Sequence, residues 1–321
     1  MHVSKYIAPL SLLMCALVAH CLPIATQRSS FPSAASTSSY NASDALLAWQ
    51  YSKSAYCEVS DILAWNCSAC GNATSGFVPF WSMEMSIDVQ VFVGYDAIHD
   101  MAVISFRGSK TLTNWLLNLQ FAHTDSPFSE CLNCYVHRGF LDDYNSVAVQ
   151  VFVAVNQIRE KYGAKRVLVT GHSLGGVLAT LAAIDLKLHD SFSNVSVITF
   201  GEPRLGNAQF ADPPVITLCS EIRQPLLSPY ESSQVYRFAN FSDFMLPDHW
   251  RLVNNHDLVP HVPPESFGFR HDSVEVWYHN GTHTTCGPQE DSSCSNSVPK
   301  YDLNIGDHLY YLNISHHCSP M

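Results

Sequence analysis

The strongest chemical signal in this chain is a serine with a glycine two places to either side, in Gly171-His172-Ser173-Leu174-Gly175-Gly176. A serine hydroxyl is a poor nucleophile at neutral pH. It needs a base to take its proton and donors for the oxyanion it generates. The paired glycines allow a strand-to-helix turn so sharp that a Cβ would clash, with the serine at its tip. Composition alone gives about 0.1 such matches in a chain of this length. The run therefore reads as a nucleophile, and His172 beside it as a packing and hydrogen-bonding residue of the turn.

The flanks supply the frame this turn needs. Arg166–Thr170 reads as a short buried strand, and Val177–His189 as a buried helix rich in strong helix formers. Ala45–Tyr56 carries apolar residues at helical spacing, as does the stretch from Asn145 to Lys161. Val89–Tyr95 and Met101–Phe106 read as strands joined by a hairpin around Asp96 to Asp100, and Val195–Phe200 as the strand after the Ser173 helix. Strands alternating with helices predict an α/β fold, a single domain with a mostly parallel central sheet flanked by helices. There are no internal repeats.

Composition narrows the function classes. Of 321 residues, 47% are hydrophobic and 14% charged, which suffices for a large core and excludes global disorder. A formal net charge of −11 with no Lys/Arg cluster argues against a nucleic-acid partner. Met1–Lys5 is a short positive segment, and Tyr6–Ala19 is apolar but short for a membrane span. Residues 1–26 are therefore expected to be a secretory signal, cleaved between Ala19 and Thr26, with 27–43 a flexible Ser/Thr-rich terminus. No other stretch is long and apolar enough to cross a bilayer.

Seven N-x-S/T sequons, at Asn41, Asn66, Asn72, Asn194, Asn240, Asn280 and Asn313, are glycosylation candidates that fit export. The eleven cysteines fit an oxidising compartment. Cys67/Cys70 and Cys131/Cys134 have the local form of a zinc ribbon, but their separation and the signal segment favour disulfides. No metal or cofactor is expected.

With these pieces in place, the chain resembles the fungal-type class 3 triacylglycerol lipases, an α/β-hydrolase family. The landmarks are Ser105–Ser109, Val136–Phe140, Gly171–Gly176, Thr199–Asn207, Asn254–Pro260 and Gly306–His308, in the family's order. The resemblance runs from about Ala45 to Cys318 and makes 44–321 the catalytic domain. It implies Ser173 as nucleophile, Asp257 as the acid and His308 as general base, the Ser…Asp…His order of α/β-hydrolases. The rivals by residue type are His256, His261, His271, His279, His283, His316 and His317, and Asp243 and Asp248. The oxyanion hole implied is the backbone N–H of Leu174 and of Ser109, with the Ser109 hydroxyl as a further donor.

Lys110–Phe121 corresponds to the family's lid. Leu112, Trp115, Leu116 and Leu119 fall on one helical face, apolar enough to meet oil when open; a core helix is the alternative. The resemblance also pairs Cys57 with Cys318, Cys67 with Cys70, Cys131 with Cys134 and Cys286 with Cys294. Cys219 is left over, inside a 28-residue Pro/Ser-rich insert at 212–239 that departs from the family. Phe238-Ala239 repeats Phe210-Ala211, so the insert is either a surface loop or a retained intron, and it bears on where Asp257 falls. The implied activity is that of a secreted, monomeric serine ester hydrolase acting on acylglycerols at a lipid–water interface. Phospholipase and feruloyl or cell-wall esterase are the enzyme alternatives. A secreted lipid-binding or host-interaction protein with a vestigial site is the non-enzyme one.

Overall fold

Apolar side chains alternate along the strands of one sheet and build a core on each of its faces. The structure is a computed structural model that describes residues 39–318, except 86–88, 132, 190–191, 193, 212–240 and 288–289. The expected signal, the terminal segment up to residue 38, the 212–239 insert with Cys219, and the Asn240 sequon lie outside the described residues.

The sheet has eight strands in chain order: β1 (Phe77–Glu84), β2 (Gln90–Asp96), β3 (Met101–Phe106), β4 (Arg166–His172), β5 (Asn194–Phe200), β6 (His249–Asn254), β7 (Val274–His279) and β8 (Thr282–Thr285). Neighbours from β3 to β7 pair in parallel, and the edge strands pair antiparallel. Parallel strands covered on both faces need near-continuous apolar runs, and β3 and β4 supply them. Val91, Val93, Ile104, Val167, Val169, Val195 and Val197 face one core. Phe92, Met101, Val103, Leu168, Ile198 and Phe200 face the other.

Helices cover both faces. α1 (Ala42–Ser54) starts three residues before the sequence-based boundary because the Asn41 side chain caps it, accepting from Ser43 N at 2.9 Å. α2 is Leu112–Asn118 and α3 is Ala148–Tyr162. α4 (Leu174–Leu188) follows Ser173 directly and is almost wholly buried. Its Gly175 and Gly176 are weak helix formers, which hid its first turn from a reading by propensity.

All four expected disulfides are formed: Cys57–Cys318, Cys67–Cys70, Cys131–Cys134 and Cys286–Cys294. Both C-x-x-C pairs are therefore bonded within themselves. Parallel register aligns the strand ends, with Phe106 opposite Gly171, His172 opposite Phe200, and Phe200 opposite Leu252. The turns leaving β3, β4, β5 and β6 thus gather at one edge, the usual place for a site in such a sheet.

Candidate active site

The turn after β4 explains its glycines. A Cβ on Gly171 would lie 2.1 Å from the Gly175 carbonyl oxygen, and one on Gly175 would lie 2.3 Å from that of Phe106. Ser173 has φ 59 and ψ −130, a conformation that costs a non-glycine residue about 1–3 kcal/mol. Two backbone bonds hold it there, Ser173 N to Phe200 O at 2.8 Å and Gly176 N to Ser173 O at 2.9 Å.

Asp257 and His308 come to the same place from the turn after β6 and from the C-terminal segment. His308 Nδ1 lies 2.8 Å from Asp257 Oδ2, and both side chains are fully buried. The other carboxylate oxygen accepts from Val259 N at 2.8 Å. A carboxylate only accepts, so Nδ1 carries the proton and Nε2 is left basic. Nε2 is buried without a hydrogen-bond partner, and so is Ser173 Oγ. These two atoms would exchange a proton, and they do not bond each other in this structure. Such contacts often tighten only with substrate bound.

Gly201, at φ 60 after β5, makes room for the pair. A Cβ there would lie 2.6 Å from His308 Cε1 and 2.9 Å from Asp257 Oδ2. Ser109 and Leu174 are both buried. Leu174 is the first residue of α4, so its N–H has no helical partner and is free to serve an oxyanion.

Two tyrosines escaped the sequence reading. Tyr311 donates to Asp257 Oδ2 at 2.6 Å, and Tyr56 lies 2.6 Å from His172 Nδ1. Neither sits in a local motif. Each reaches the site only because the chain folds back, Tyr56 through the neighbouring Cys57–Cys318 bridge.

Most of the rivals are engaged elsewhere. His271 Nε2 donates to Pro260 O, His316 Nδ1 to Leu309 O, and His256 stacks on His279. His283 stacks on Tyr278, and burial holds the His261 imidazole below the ordinary histidine range. His317 is exposed and packs on His316. Asp243 accepts from Ser273 N, and Asp248 from Trp250 Nε1.

No residue of α2 is buried, which sets aside the core-helix alternative. Leu112, Trp115 and Leu116 are half-buried, while Leu117 is 80% exposed. Trp115 stacks over Phe140 at 6.1 Å. Leu119 lies one residue past the helix end, so three of the four expected lid residues are helical and the fourth packs from extended chain. Among the described residues no helix is long and apolar enough to cross a membrane.

Comparison with known proteins gives consistent matches. Residues 103–222 match the family model described as Lipase (class 3). A lipase of Rhizomucor miehei is 32% identical over 274 residues, 82% of this chain and 66% of that protein. A secreted mono- and diacylglycerol lipase of Fusarium solani is 31% identical over 193 residues, 60% of this chain and 48% of that protein. The chain thus spans about half to two thirds of the length of these relatives. A solved triacylglycerol lipase, described as having its catalytic centre formed by a serine protease triad, superposes with a TM-score of 0.72 at 30% identity. That match covers 88% of this chain and 98% of the other.

Proposed function

The chain belongs to the class 3 lipase family, and we propose that it is a secreted serine hydrolase of acylglycerol esters working at a lipid–water interface. The observation that carries this reading is the buried Asp257–His308 pair, whose Nε2 is left without a hydrogen-bond partner, as is the buried Ser173 Oγ. Ser173 Oγ attacks the ester carbonyl carbon as His308 Nε2 takes its proton. The carbonyl oxygen becomes an oxyanion between the N–H groups of Ser109 and Leu174; one such donor is worth about 3 kcal/mol. The imidazolium, held by Asp257, protonates the leaving alcohol. Water then repeats the sequence on the acyl-enzyme, releasing the fatty acid and restoring Ser173.

α2, with Trp115 packed against the core, is the lid in this reading. Its apolar surface favours a lipid substrate over a soluble ester. The four disulfides and a relative described as secreted support an extracellular setting. The names of the relatives mark two substrate poles, triacylglycerols and partial glycerides.

The test is acid release from emulsified triolein and from mono-olein, alongside p-nitrophenol release from short and long acyl esters. We expect hydrolysis by the wild-type protein and none by Ser173→Ala. An inactive wild-type protein that still binds lipid vesicles would favour a vestigial site. Activity confined to feruloyl esters would move the esterase reading ahead.

A further inference from the structure

His172 is fully buried next to the nucleophile, and both its ring nitrogens are engaged. Nε2 lies 2.8 Å from the backbone oxygen of His308. A carbonyl can only accept, so Nε2 carries a proton. Burial, reinforced by the rings of His308 and His316, pushes the imidazole well below the ordinary histidine range. It is therefore neutral, and Nδ1 is bare. Nδ1 lies 2.6 Å from the Tyr56 hydroxyl, so the phenol must donate to it. The same phenol oxygen accepts the Gly108 N–H at 3.2 Å.

Each direction follows from its neighbour, so the chain runs one way: Gly108 N–H to Tyr56 O–H to His172 to the His308 carbonyl. Its three anchors are the three working parts of the site. Gly108 precedes Ser109 in the oxyanion turn. His172 is peptide-bonded to Ser173. His308 is the base. The packing leaves little slack, since a Cβ on Gly108 would lie 2.4 Å from the Tyr56 oxygen and 2.8 Å from Ser173 Cβ.

We propose that Tyr56 and His172 are positioning residues, and that their hydrogen-bond chain fixes the oxyanion turn relative to the nucleophile and the base. The proposal rests on the serine-hydrolase reading above and extends it. Neither residue touches the reacting atoms in this scheme. Removing the Tyr56 hydroxyl leaves the Gly108 N–H and His172 Nδ1 without each other's link, and lets the oxyanion turn drift. A misplacement of about 1 Å at a reacting centre typically costs about 100-fold.

The experiment compares the wild-type protein, Ser173→Ala, Tyr56→Phe, His172→Phe and the double variant on a dissolved short-chain p-nitrophenyl ester. Active sites are counted with a phosphonate ester that labels the serine, and melting is followed by circular dichroism. Hydrolysis by wild type and none by Ser173→Ala establishes the underlying reading independently of Tyr56. Within that, Tyr56→Phe is expected to lower kcat per labelled site about 30-fold with KM within about twofold. The double variant should lose little more than the worse single one, because one chain is broken only once. A Tyr56→Phe enzyme with kcat within twofold of wild type overturns the proposal. So does a rise in KM alone, or a double variant whose losses multiply. Should His172→Phe fail to fold, the kcat-against-KM split in Tyr56→Phe decides.

Discussion

Tyr311 donates to Asp257 Oδ2 at 2.6 Å, and that is the same oxygen that lies 2.8 Å from His308 Nδ1. One carboxylate oxygen therefore serves two donors in a fully buried pocket. Burial and the adjacent Asp257 charge push the Tyr311 phenol far up, so it remains a donor at every working pH. Its bond holds the carboxylate and draws off part of its charge. Tyr311→Phe should lower kcat about three- to tenfold by loosening Asp257. Turnover of a dissolved ester reads this effect, and an unchanged kcat would refute the holding role of Tyr311.

The triad makes a graded prediction. Ser173→Ala should remove about a million-fold of the rate while folding survives, and His308→Ala should do nearly as much. Asp257→Ala should be milder. Gly201→Ala is a less obvious member of the set, because its Cβ would meet both the His308 ring and the Asp257 carboxylate. We expect activity at least 100-fold down with the melting temperature shifted by only a few degrees. Near-normal turnover in Gly201→Ala would mean that the pair relaxes freely, against the rigid placement argued here.

The difference between what could and could not be read from the chain has a physical basis. The Ser173 turn was legible because its glycines answer a clash within five residues, and the flanking strands because burial on both faces demands unbroken apolar runs. Tyr56 and Tyr311 were not legible. Their partners lie 116 and 54 residues away, and a lone tyrosine carries no pattern. The lid's apolar face was visible as spacing, but its end was not. Thr111 makes no side-chain cap, and Leu119 turns to extended backbone without a glycine or proline to announce it. The buried ionic cluster behind the site was also hidden, because Glu202, His249 and Asp272 come from three separate segments.

That cluster predicts how stability varies with pH. His249 lies 3.5 Å from Glu202 and 4.0 Å from Asp272, all three fully buried. These are ion-pair separations too long for good hydrogen bonds. Burial alone would lower the imidazole, but Glu202, Asp272 and Asp243 outweigh it and hold His249 above its ordinary 6.5. Its contribution to stability is then complete below about pH 6.5, and is lost as pH rises through the folded value. Glu202 works in the opposite sense. Burial raises it, but His249, Thr199 and Thr180 bring it below its ordinary 4.5, so its contribution is lost on acidification. Stability should therefore peak between these limits. His249→Gln should cost several degrees of melting temperature at pH 6 and less at pH 9, because the wild type loses that charge as pH rises. An equal cost at both pH values would show that His249 acts only by packing.

α2 should respond to an oil surface. Trp115 and Leu116 are half-buried, and Leu117 is left 80% exposed on the outer side. The helix is lightly held. Trp115 and Leu119 line a cavity of about 290 Å³ shared with His137 and Phe140, and His137 fixes the following segment by donating to the Gln120 carbonyl. Swinging this segment outward would expose the packed faces of Trp115 and Leu119 at about 25 cal/mol per Å², so the closed form dominates in water. An oil surface removes that cost and shifts the population toward the open form. Activity on a sparingly soluble ester should therefore rise sharply once its concentration passes the solubility limit. Trp115→Ser with Leu116→Ser should flatten that rise more than it lowers turnover of dissolved ester, because it makes opening in water cheaper while weakening the hold on oil. A smooth hyperbolic rate curve through the solubility limit in the unmodified enzyme would make α2 a fixed flap, and the soluble-ester esterase would become the better description.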